Sequence, residues 1–187
     1  MTDPFTAPVA DPPQHLDRVD ALLADPHPYT PADTDHATGH AGPGYRVEEL
    51  YVSRDFRHDE EDRQACEREH DLAEARLAAL AEVLTARWGS PHTVDLFSYL
   101  RAGYDWECAA RPVPEPLALL SCKAVTLHVW PLPDGGAGPR WLGLSVGQED
   151  KELPVVLSAA LADGPVPAPT APSEPEASTR APASGTS

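Results

Sequence analysis

"AVTLHVWPLPDGGAGPRWLGLSVG", residues 124–147, is the stretch that decides the fold class. Val125, Leu127 and Val129 alternate with Thr126, His128 and Trp130, and Leu142, Leu144 and Val146 resume the alternation after a break. A period of two puts successive side chains on opposite faces of a strand. The break, "PDGGAGP", is made of turn residues. Two alternating runs joined by a short turn pair antiparallel, so residues 124–147 predict a hairpin.

Further strands are expected on either side. "LPVVLSAALA" (153–162) is apolar throughout, as a central strand or a short buried helix would be. "HTVDLFSYL" (92–100) begins with the same alternation, at Val94 and Leu96, before Phe97 and Tyr99 interrupt it. Tyr45, Val47 and Tyr51 predict a short strand that opens the ordered region. Pro112, Pro114 and Pro116 exclude regular structure from the connection 101–116, and "LALLSC" after it is long enough for one helical turn.

One long helix is expected from about Asp59 to Trp88. Cys66, Ala73, Leu77, Leu80, Leu84 and Trp88 recur at helical spacing, without Gly or Pro inside the segment. Gly89-Ser90-Pro91 stops it, and Gly89 suits the left-handed cap. Asp59 with Arg63 and Arg63 with Glu67 have the spacing of helical ion pairs. The polar first half leaves about four turns to pack. The resulting fold class is α+β: two layers, an antiparallel sheet of four or five strands against one long helix.

Composition sets the boundaries. Residues 1–44 hold eight of the 22 prolines and residues 163–187 six more, so both segments read as disordered tails around a single domain, 45–162. The start has neither the basic nor the apolar region of a secretion signal, and no apolar run spans a bilayer. Cys66, Cys108 and Cys122 fit reduced, buried thiols in a cytoplasmic protein. A net charge of −16, with nine acids against three arginines in residues 55–74 alone, repels nucleic acid and favours a basic protein partner.

Candidate chemistry is sparse. Pro133-Asp134 followed by Glu149-x-Lys151 resembles the motif of restriction-endonuclease-like nucleases. In that motif two carboxylates hold a divalent cation and lysine serves the attacking water. Here the acid-x-lysine triplet falls among turn residues, and Pro-Asp-Gly is itself a turn sequence. His27, His36 and His40, with Asp33 and Asp35, lie on the Pro-rich arm, where no preformed metal cage is expected. Cys66 and His70, one turn apart, read as core and rim. No nucleophile elbow and no phosphate-binding loop occurs in the chain, so no cofactor and no metal are expected.

"RWLGLSVGQEDKELPVVLSAALA" together with "LTARWGSPHTVDL" resembles a family of small actinobacterial proteins that have no assigned activity. The resemblance covers about 100 residues and implies no site residue. The resulting expectation is a non-enzymatic, cytoplasmic protein-binding module, of which a toxin-neutralising immunity protein is one instance. Its contact residues would be Asp59, Glu60, Glu61, Asp62 and Glu67, with Trp130 and Trp141 as aromatic anchors if the two face the same way across the hairpin. The metal-dependent nuclease using Asp134, Glu149 and Lys151 is the alternative.

Overall fold

The computed structural model describes residues 12–24, 39–56, 60–104, 113–133 and 138–170. Their elements run α1 (Pro12–Ala24), β1 (Gly39–Gly42), β2 (Tyr45–Val52), α2 (Glu60–Trp88), β3 (His92–Asp95), α3 (Leu96–Tyr104), α4 (Leu117–Ser121), β4 (Thr126–Pro131), β5 (Arg140–Gly147) and β6 (Val156–Asp163). The strands form one antiparallel sheet in the order β1-β2-β6-β5-β4-β3. The α+β class, the antiparallel sheet and the long helix are as expected, with six strands in place of four or five.

From Val156 onward this apolar run resolves as the central strand β6, because β2 and β5 take both of its edges. Its two faces enter different cores, which explains an apolar run with no polar side. Leu157, Ala159 and Leu161 pack with Trp130, Leu142 and Leu144 under α1 and α2. Ala160 and Ala162 pack with Leu127, Val129 and Trp141 under α3 and α4. The sheet is therefore covered on both faces, by a second helical layer beyond the two layers predicted. A strand buried on both sides loses its alternation.

The second layer also corrects the reading of residues 92–100 as one strand. Asp95 ends β3 and caps α3: its Oδ1 accepts the Phe97 N–H at 3.0 Å, and its carbonyl accepts from Ser98 Oγ at 2.7 Å. Leu96 and Tyr99, three apart, then enter the core while Phe97 stays exposed. The irregularity at Phe97 and Tyr99 marks this change of period.

Part of each expected tail is structured. Pro12 and Pro13 open α1, where a missing N–H costs nothing, and Val19 and Leu22 behind them are buried against α2 and the sheet. β1 joins β2 through Pro43-Gly44, with Gly44 at φ 77°, as a Pro-Gly turn requires. After β6 the chain crosses the α3/α4 face: Val166 packs into that core, Tyr99 Oη donates to the Ala168 carbonyl at 2.8 Å, and Asp95 N–H to the Pro169 carbonyl at 2.7 Å.

In α2, Ala73, Leu77, Leu80 and Leu84 are buried, so the packed half is the C-terminal one, and Gly89 takes φ 86° beyond its end. The Arg63–Glu67 pair forms at 2.7 Å, whereas Asp59 lies outside the described residues. Among the described residues no helix is long and apolar enough to cross a membrane.

Candidate functional site

The β5–β6 connection, residues 148–155, is a turn held by main-chain and side-chain hydrogen bonds. Gln148 N–H donates to the Lys123 carbonyl at 2.7 Å, Gln148 Nε2 to the Leu153 carbonyl at 2.6 Å, and Leu153 N–H to the Asp150 carbonyl at 2.9 Å. Glu149, Asp150, Lys151 and Glu152 all point to solvent. Asp134 lies outside the described residues. The nuclease alternative needs Asp134 and so lies with it outside the described residues.

The two hairpin tryptophans do not form a surface patch. Trp130 and Trp141 are 0 % and 3 % exposed and point to opposite faces, one toward α2 and the other toward α3 and α4. Trp130 stands opposite Leu142 in the ladder, one register step from Trp141, and a shift of one residue reverses the face.

The predicted acidic contact set also divides. Asp59 and the Glu60 side chain lie outside the described residues, and Asp62 is buried in an ion pair with Arg54. Glu61 and Glu67 are exposed, but six residues of helix turn them about 120° apart. Glu67 instead shares a stripe with the exposed Asp71 and Glu74, at spacings of four and seven.

That stripe borders a cleft of about 340 Å³ between α2 and the sheet. His70 and Glu74 line it from α2, Thr126 and His128 from β4, and Gln148 from the turn. Leu77, Val146 and Ala124 supply its apolar wall, and Val125, 65 % exposed, stands at the lip. The polar half of α2 has too few apolar side chains to close onto the sheet here, so the space stays open. Lys123 also borders it, but its ammonium is drawn to Glu49 on the opposite face, at 3.2 Å. Cys66 is half-buried beside the cleft, with Sγ 3.4 Å from Gln148 Oε1.

No protein-family model, curated protein or solved structure matches the chain. The cleft and its rim must therefore be read from their own chemistry.

Among the described residues no three His, Cys, Asp or Glu side chains are placed to hold a metal ion. His40 is exposed on β1, and His27, His36, Asp33 and Asp35 lie outside the described residues. Cys122 is exposed rather than buried, and Cys108 lies outside the described residues. The residues that sequence reasoning missed are Asp71, Glu74 and His128. The i,i+4 spacing of His70 and Glu74 was readable in the sequence, but their meeting with His128 depends on how α2 lies across β4.

A second group of polar side chains lies inside, where α1, α2 and β2 meet. Arg76 is 6 % exposed, stacked 3.9 Å from the centre of the Tyr51 ring, and the Tyr51 hydroxyl bonds Glu69. His15, 3 % exposed, has no hydrogen-bond partner among the described residues at either ring nitrogen. Burial, with repulsion from Arg76 and Arg18, holds the His15 imidazole below its ordinary value. The unfolded chain binds this proton below about pH 6.5 and the folded one resists it, so stability is full above that pH and falls as the pH drops toward the lowered value. His15→Leu should remove this slope, at most about 1.4 kcal/mol per pH unit. Urea unfolding at pH 7.5 and 5.5 measures it, and an unchanged difference between the two pH values would refute the assignment.

Proposed function

We propose that the chain is a non-enzymatic, cytoplasmic protein-binding module that recognises a basic protein through the acidic end where α2 meets the β5–β6 turn. A toxin-neutralising immunity protein is one instance of this reading, since toxins that process nucleic acid are basic. The observation that carries it is the convergence of two acidic segments far apart in sequence. Phe56, Ala73 and Val155 share a small core that the Cys66 side chain joins, and Phe56 N–H donates to the Glu152 carbonyl at 2.9 Å. These contacts hold the exposed Glu149, Asp150 and Glu152 at the same end as Glu67, Asp71 and Glu74.

Carboxylates gathered at one end raise the local negative potential, which speeds encounter with a cationic surface and selects against anionic ones. The chain's net charge of −16 acts in the same direction and disfavours nucleic acid. The paired variant Glu67→Lys/Asp71→Lys should weaken binding of a nona-arginine peptide at least tenfold and flatten its salt dependence. Asp17→Lys/Glu82→Lys makes the same change of charge elsewhere on the surface and should have the smaller effect. Equal losses in the two variants would mean that net charge alone attracts the peptide, and would overturn this mapping.

A further inference from the structure

Resting on the acidic-face reading above, we propose that the cleft between α2 and β4 is an arginine pocket, receiving one guanidinium side chain of the basic partner. Its lining is amphipathic in the way an arginine side chain is. Leu77, Val146 and Ala124 offer an apolar wall to the methylene stem. Glu74 offers a carboxylate to the planar fork, and the Gln148 side chain adds an amide oxygen. His70 and His128 stand on facing elements, where flat imidazole rings can sandwich a flat cation.

Charge selects the occupant. Among the described residues Lys123 is the one Lys or Arg of the lining, and it is turned through to Glu49 on the other face of the sheet, leaving Glu74 to set the sign within the cleft. Glu67 and Asp71, on the same helix stripe, extend that sign outward along the path of approach. A volume of about 340 Å³ is at the small end for a ligand pocket, which suits a side chain better than a cofactor. A lysine could satisfy the carboxylate, but it lacks the planar fork and the flat face, so arginine should be preferred.

The test compares nona-arginine with nona-lysine by calorimetry, and maps N-acetyl-arginine amide by amide and imidazole NMR shifts. The unmodified chain should bind nona-arginine at least fivefold more tightly than nona-lysine. Glu74→Gln, at an exposed position, should abolish that preference while retaining most of the nona-lysine affinity. The small amide should shift His70, Thr126, His128 and Gln148. Equal affinity for the two peptides, both lost in Glu67→Lys/Asp71→Lys, would overturn the pocket and leave the acidic face standing. Shifts at these residues from inorganic phosphate, and none from the arginine amide, would reverse the sign of the site. Failure of both peptides to bind would overturn the pocket together with the reading on which it rests.

Discussion

Gly147→Ala is expected to destabilise the protein by about 3 kcal/mol, the largest effect of any single change proposed. A Cβ at this position would lie 2.0 Å from the Lys123 carbonyl oxygen, 2.6 Å from its carbon and 2.7 Å from the Ala124 Cα. All three atoms are main chain, so no rotamer change relieves the overlap. The contact is close because Gly147 bridges Ala124 while pairing with Val156, and the next residue, Gln148, donates to the Lys123 carbonyl. Relief requires the segment entering β4 to move off β5, and that segment borders the cleft. Urea unfolding should show the loss, with a fall in melting temperature of about 6–12 °C for a chain of this size. A change under about 0.5 kcal/mol, the ordinary range for surface substitutions, would mean the strands are not in this register. Gly103→Ala is the control for glycine loss without overlap, since among the described residues the nearest atom to its Cβ position is Val113 Cγ2 at 3.8 Å, an ordinary contact.

Arg18→Ala should cost about 2–3 kcal/mol and loosen α1 from the sheet. β2 carries an extra residue at Leu50, where the register with β6 shifts between Glu49 and Tyr51. The guanidinium of Arg18 meets the main chain there: Nη1 donates to the Leu50 carbonyl and Nη2 to the Glu49 carbonyl, both at 2.8 Å, and Nη2 also reaches Glu48 at 2.7 Å. Removing it leaves two carbonyls at the bulge without that donor and loosens the helix that covers Val19 and Leu22. Amide hydrogen exchange should rise first in residues 14–24 and at Leu50. Arg18→Lys should recover only part of the loss, because an ammonium cannot span both carbonyls in the geometry of a planar fork. If exchange in α1 stayed unchanged, the bulge contact would not be what holds that helix.

Legibility of the fold followed the length of each pattern. About three turns of spacing are enough to recognise α2, because its stripe from Ala73 to Leu84 repeats without a breaker. The stripe Leu16, Val19, Leu22 and Leu23 in α1 obeys the same rule, but it is short and sits within a proline-rich composition that masks it. α3 was hidden differently. Its first residues continue an alternating run, and only the cap at Asp95 separates the two periods. Of the candidate site, Glu67 and His70 were visible as individual residues on a helix. Burial of Asp62 by Arg54, and of both hairpin tryptophans, was not, since each depends on a partner or a second layer outside the local pattern.

The chain by itself determined its net charge, the helix α2 with its glycine stop and the β4–β5 hairpin, because those depend on covalent chirality, residue type and spacing over a few neighbours. Only the tertiary structure decided that β6 lies between β2 and β5, that helices cover both faces, and that His70 and Glu74 meet His128 and Gln148 around a cleft. Around the cleft the contacts join residues 54 or more positions apart, from Glu74 to His128. Side-chain periodicity reports which face a residue takes, but not which distant face comes to lie against it.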